Sequence, residues 1–244
     1  MRFTVNDAQG EPVEFECDDS LASRMTCGAI LEGRTYPDLP IAGPVHVVLD
    51  VGANCGAFSV QTARLHPEAT VHAFEPGSRA RELLERNVAS YPGVVVHPVA
   101  LADEDAELLL HLVPDDIGQS SLRPPEVANG PAEVVTVRSA AGWVAEHGIE
   151  QIDVLKVDVE GAEIEVLEGL APLLPEIKVV YVEYDHRTHR RAIEGLLGPT
   201  HELYFAMLMT LDQGECMWVR RDLAEHPDAL GHLREMFTSI VAPR

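Results

Sequence analysis

Apolar positions along this chain fall into two patterns that alternate. Short continuous runs at Val47 to Val51, Thr70 to Phe74, Val94 to Val99, Ile152 to Val157 and Lys178 to Tyr184 are dense in β-branched residues. Such runs, bounded by glycine or acidic residues, read as strands covered on both faces of a parallel sheet. Between them apolar residues recur at helical spacing, as at Ala80, Leu83, Leu84 and Val88, and again at Val166, Leu167, Leu170 and Leu174. Strand and helix alternating in this way predict an α/β fold with a mostly parallel, doubly wound sheet.

Other patterns flank that core. Phe3-Thr4-Val5 and Val13 to Cys17 predict a small β-hairpin, and Ser20 to Leu31 a short helix capped by Asp19 or Ser20. Gly33 to Pro44 holds three prolines and two glycines and reads as a loop, from which Glu32 and Tyr36 could close over the following turn. Glu107 to Val113 and Glu133 to Val137 predict two more strands. The polar loop between them carries Gly118-Gln119-Ser120-Ser121-Leu122 and a mobile tip over Pro124 to Pro131. Ala140 to His147 and Arg191 to Leu197 read as helices. Glu202 to Met209 and Glu215 to Arg220 read as a terminal antiparallel hairpin, and Leu223 to Ile240 as a closing helix that packs back or joins two copies. The expected organisation is an extension over residues 1–44, a central domain over 45–221 and a tail over 222–244, as a monomer or homodimer.

The chemistry concentrates at strand ends. After Val47 to Val51 the chain runs Gly52-Ala53-Asn54-Cys55-Gly56-Ala57-Phe58. Glycines there permit a tight turn and close ligand approach, and ligands of open α/β sheets bind at the carboxyl ends of strands. Asn54 stands where a dinucleotide fingerprint needs its second glycine, which argues against NAD. Asp50, two residues before Gly52, suits a cationic ligand. Nineteen residues after Gly56, Glu75-Pro76 ends the next strand, where a carboxylate can accept two ribose hydroxyls. Asp50, the Gly-x-Asn-x-Gly turn and Glu75 together look like the S-adenosylmethionine (SAM) site of a class I methyltransferase. Phe58, Pro76, Ala100, Leu101, Ser120 and Asp158 join Asp50, Gly52, Asn54, Gly56 and Glu75 as expected cofactor contacts.

The second informative stretch is Lys156-Val157-Asp158-Val159-Glu160-Gly161-Ala162-Glu163. Alternation along a strand would place Lys156, Asp158 and Glu160 on one side. A lysine in a buried strand needs a partner, and Glu183 on the next strand is the expected one. Asp158, Glu160 and His186 are the candidates to remove a proton from a hydroxyl acceptor, where a base adds rate to an in-line methyl transfer. The same three could alternatively hold a divalent ion, but no metal-spaced motif supports that, and no metal is expected. His66, His72 and His97 show no partner in the sequence.

Composition changes the picture at one point. The formal net charge is −22, which disfavours a nucleic-acid backbone or an anionic membrane as partner. The four cysteines form no Cys-x-x-Cys pair and read as reduced thiols, no apolar run reaches the roughly 18 residues of a membrane helix, and no signal peptide is evident. A cytoplasmic protein is expected.

Taken together, Asp50-Val51-Gly52-Ala53-Asn54-x-Gly56, Glu75-Pro76 and Lys156 to Glu163 resemble the FkbM family of SAM-dependent methyltransferases, over about Val45 to Glu183. The resemblance implies a Rossmann-like methyltransferase sheet, SAM as donor, S-adenosylhomocysteine (SAH) as product, and usually O-methylation of a natural-product or sugar hydroxyl. It also implies active-site roles for Asp158 and Glu160, and a functional Gly118 to Leu122 loop. N- or carboxyl methylation on the same fold, and a NAD-dependent oxidoreductase, are the alternatives.

Overall fold

The structure is a computed structural model that describes residues 1–113, 120–122 and 131–241. Gly118 and Gln119 of the serine loop, and residues 124–130 of the expected tip, lie outside the described residues. The chain opens with an antiparallel hairpin, β1 (Arg2–Asn6) and β2 (Pro12–Glu16), followed by α1 (Leu21–Leu31). The Ser20 hydroxyl caps α1 by accepting from the Ser23 N–H.

Next come β3 (Val47–Val51), α2 (Ala57–Leu65), β4 (Thr70–Phe74), α3 (Ser78–Val88) and β5 (Val94–His97). The expected strand over Val94 to Val99 divides at Pro98, which has no N–H to give to a ladder. Ala100–Ala102 becomes β6 of a separate three-stranded sheet with β7 (Ala106–His111) and β8 (Ala132–Ser139). Then follow α4 (Ala140–Glu146), β9 (Val154–Val157), α5 (Glu163–Gly169), β10 (Val179–Tyr184) and α6 (Arg187–Leu197). The chain closes with β11 (His201–Leu208), β12 (Gly214–Arg220), α7 (Arg221–Ala224) and α8 (Ala229–Val241). The single closing helix expected over Leu223 to Ile240 is therefore two, broken around Pro227.

Among the described residues the main sheet has seven strands in the order β11-β12-β10-β9-β3-β4-β5. β3, β4, β5, β9 and β10 run parallel, and β12 enters antiparallel between β10 and β11. The chain leaves β3 towards β4 on one side and later returns to β9 on the other. The carboxyl ends of β3 and β9 thus flank a topological switch point, where such sheets open a crevice.

One apolar cluster joins Phe15 of β2 and Leu31 of α1 to Val48, Val60 and Val71, so residues 1–44 share the core of the sheet's first half. On the other face Leu49, Phe74, Leu155, Leu167 and Val180 pack with Trp143 of α4.

Against that face lies an imidazole pair. The His72 Nδ1 is 3.1 Å from the His97 Nε2 across β4 and β5, beside the rings of Phe74, Trp143 and His147. His66 also has a partner, Asp38 at 3.0 Å. Burial, reinforced by the neighbouring imidazoles, lowers His97 to about 4, and burial lowers His72 as well. Because the folded state binds fewer protons than the unfolded one, this stability is complete above about pH 6.5 and is lost as pH falls towards 4. Urea unfolding at pH 7 and pH 5 should show a smaller acid-induced loss for His97→Phe than for the wild type. Equal losses would remove the pair from the acid response.

Candidate active site

The β3–α2 turn is built by backbone geometry. Gly52 has φ +80°, and a Cβ there would lie 1.7 Å from the Asp158 carbonyl oxygen, so the loops after β3 and β9 meet only across a glycine. Asn54 is also left-handed, at φ 51°, a conformation that asparagine tolerates better than most residues. Glu75 holds the turn in place. Its Oε2 accepts the Asn54 N–H at 2.8 Å, and its Oε1 accepts the Gly77 N–H at 2.7 Å. Burial outweighs these donors and raises the Glu75 carboxyl to about 7.

Beneath the turn lies a buried charge network. Lys156 is 3% exposed, and its Nζ donates to the Gly52 carbonyl at 2.6 Å. The same ammonium is 3.3 Å from Asp158 Oδ2 and 3.4 Å from Asp50 Oδ1. Asp50, 0% exposed, also accepts the Ser59 hydroxyl at 2.6 Å. Burial works against the charge on Lys156, but Asp158 and Asp50 together outweigh it and hold the ammonium well above its usual range.

The expected Lys156–Glu183 pair is therefore replaced by Lys156 with Asp50 and Asp158. Register explains the change: Lys156 is level with Asp50 on β3 and Tyr181 on β10, whereas Glu183 lies past the last β9–β10 pair, Val157 and Val182. The expected alternation through Glu160 also stops early, because β9 ends at Val157 and the chain turns through left-handed Glu160, φ 54°, and Gly161.

Tyr36, in the loop after α1, donates its hydroxyl to Asp158 Oδ2 at 3.2 Å. Its ring is fixed edge-on by Phe58 and Tyr181, with centroids 5.3 and 5.5 Å away, and the Gln61 amide holds its carbonyl. Glu32 instead pairs with Arg34.

A cavity of about 270 Å³ opens between these loops. Gly52, Asn54, Glu75, Pro76, Ala100 and Leu101 line it, as do Ser120, Asp158 and Glu160. The other expected contacts lie elsewhere. Asp50 is under the floor, Gly56 starts α2 against Leu84, and Phe58 packs between Tyr36 and Tyr181. His186 is exposed outside the cavity lining, and its ring caps α6 by accepting the Thr188 N–H.

The structure adds walls that sequence reading missed. Ser23, Thr26 and Cys27 of α1 line the cavity, as does Glu183. Glu183 is raised well above the carboxylate range, first by burial and then by the charges of Asp158, Glu160 and Glu215. Glu163, 0% exposed, accepts the Gly161 N–H at 2.7 Å and meets His189 Nδ1 at 3.2 Å, so it shapes the turn rather than the cavity. No residue lining the cavity, among those described, is Arg, Lys or His.

A glycine turn wired to a carboxylate, facing a second strand end rich in carboxylates, suits a nucleoside bearing a positive charge. The family model of the methyltransferase FkbM domain matches residues 50–217. This chain belongs to the FkbM methyltransferase family. Membership sets aside the nicotinamide reading.

Over 156 residues the chain is 30% identical to the 2-O-methyltransferase NoeI of Sinorhizobium fredii, a match covering 58% of this chain and 64% of that protein. Over 170 residues it is 32% identical to the 31-O-demethyl-FK506 methyltransferase FkbM of Streptomyces tacrolimicus, covering 57% and 65%. The chain thus spans less than two thirds of either relative. The fold is similar to that of the Methanococcus jannaschii fibrillarin pre-rRNA processing protein, with a TM-score of 0.51 at 12% identity over 90% of this chain and 82% of that one. Tyr36, Ser23 and Thr26 lie outside the span that the family model matches.

Proposed function

We propose that this FkbM-family protein is a SAM-dependent O-methyltransferase acting on a hydroxyl of a small, sugar-like or natural-product acceptor. The observation that carries the reading is the cavity between Glu75 and Asp158, with the glycine turn as one wall. The residues fit SAM. Glu75 has both oxygens anchored by N–H donors and lines the cavity beside Phe74 and Leu101, so it would take the ribose hydroxyls while the apolar pair flanks the base. The carboxylates after β9 suit the cationic sulfonium. When bound, SAM supplies an electrophilic methyl group.

The chain's own residues do the rest. Asp158, fixed through one oxygen by Tyr36 and Lys156, is the base that takes the hydroxyl proton. The named relatives include a 2-O-methyltransferase and a 31-O-demethyl-FK506 methyltransferase, which supports oxygen as the acceptor atom. A cavity lined by four carboxylates and, among the described residues, by no Arg, Lys or His disfavours a carboxylate acceptor through like-charge repulsion.

Titration calorimetry with SAM and SAH tests the cofactor, and labelled-methyl transfer onto hydroxylated acceptors then tests the reaction. Asp158→Asn should lower kcat by about 10²–10⁴-fold with KM little changed. Absence of heat with both nucleosides would end this reading, and full activity of Asp158→Asn would remove the base.

A further inference from the structure

The reaction as proposed leaves one half-buried acid without a task. Glu183, near the end of β10, follows Val182 as Asp158 follows its register partner Val157, so the two leave neighbouring parallel strands at the same level, and both line the cavity. Two carboxyl groups side by side in one cavity cannot both ionise cheaply, so the pair as a whole holds a proton.

We propose that Asp158 and Glu183 act as one carboxyl pair, which surrenders its shared proton when the sulfonium enters and takes up the acceptor's proton when the methyl leaves. The inference rests on the SAM-dependent reading above and extends it to the proton balance of the site.

The groups facing Glu183 set the direction. Asp158 and Glu160 come from the loop after β9, and Glu215 from β12. Tyr36 approaches from the loop after α1, and its hydroxyl is held protonated by burial and by Asp158, Glu183 and Glu215. Lys156 stands behind Asp158 and beside Asp50. Glu215 is itself raised to about 8 by burial and by Asp158, and its Oε2 is buried without a hydrogen-bond partner among the described residues. One ammonium therefore faces a surplus of acids, and a proton on Glu183 relieves part of it. A second cation in the cavity relieves the same repulsion. A unit charge about 4 Å away, at an effective dielectric near 20, is worth about a thousandfold in proton affinity.

The atoms balance over one turnover. Glu183 releases its proton to solvent as the cationic donor binds. The acceptor O–H bond then breaks towards Asp158 while the acceptor oxygen bonds the methyl carbon. The carbon–sulfur electron pair goes to sulfur, leaving neutral SAH and one proton shared again by Asp158 and Glu183. The site thus exchanges a positive sulfonium for a proton and keeps its charge.

SAM and SAH differ by the sulfonium methyl and its charge, so the comparison isolates this pair from Glu75, which meets the ribose of both. Calorimetric titrations at pH 8 in buffers of different ionisation enthalpy count the protons released on binding. The expected result is that SAM releases more protons than SAH in the wild type. In Glu183→Gln, which keeps the shape and the hydrogen-bonding capacity, that difference should shrink, leaving only what Glu215 contributes, with the melting temperature recorded alongside. Equal proton counts for SAM and SAH in the wild type would overturn the inference while leaving the cofactor assignment intact. An undiminished difference in Glu183→Gln would also overturn it, whereas no binding of either nucleoside would overturn the methyltransferase reading itself.

Discussion

Glu75→Ala is expected to weaken SAM binding by at least about a hundredfold. Each charge-assisted hydrogen bond to the ribose contributes about 1.5–3 kcal/mol, and two of them reach that factor. The variant also frees the Asn54 and Gly77 N–H groups that the carboxylate now anchors, so the turn loses its scaffold together with its acceptor.

The pH dependence has a definite sign. Burial raises the Glu75 carboxyl to about 7, and only the ionised form can accept both hydroxyls. Affinity is therefore full above about pH 8 and falls about tenfold per unit below 7. Calorimetry between pH 5.5 and 8.5 checks this, and Glu75→Gln should flatten the profile. A wild-type affinity that is constant across that range would show that Glu75 does not govern binding.

The second large effect concerns the charge network. Lys156→Met preserves the length of the side chain but leaves Asp50 fully buried with the Ser59 hydroxyl as its remaining described hydrogen-bond partner. Removing one partner of a buried pair costs about 3–5 kcal/mol, and the melting temperature should drop by about 6–20 °C in a chain of this size. The double variant Lys156→Met, Asp50→Asn should recover part of that loss, because no uncompensated charge then remains in the interior. An unchanged melting temperature in the single variant would mean that Asp50 is stable without its ammonium.

Local features were the ones readable along the chain. Strands that are buried on both faces must be apolar throughout, so Val47 to Val51 and Lys178 to Tyr184 announced themselves, and helical spacing announced α3. The Gly52–Gly56 turn was equally legible, since a left-handed backbone at Gly52 restricts the residue types that can occupy it. Glu75 stood out as a carboxylate at a strand end next to that turn, but its anchoring of the Asn54 and Gly77 N–H groups was not legible.

The partners of Lys156 were not readable. That the lysine needed a counter-charge followed from burial alone, but whether Asp50, Asp158 or Glu183 supplied it depended on inter-strand register. His186 shows the converse case. Its place after a strand suggested chemistry, while the three-dimensional course of the chain made it a helix cap outside the cavity lining.

Sequence alone determined the α/β class, the glycine turn, the acidic strand ends and the family, because each is a property of residues close together in the chain. Tertiary structure decided which distant groups meet. It brought Tyr36 to Asp158 across 122 positions and placed Glu183 level with Asp158 at two neighbouring strand ends. It also folded α1 over the cavity as a wall. The physical reason is that burial and electrostatic coupling depend on distance in space, and in a parallel sheet the strand order and register set that distance.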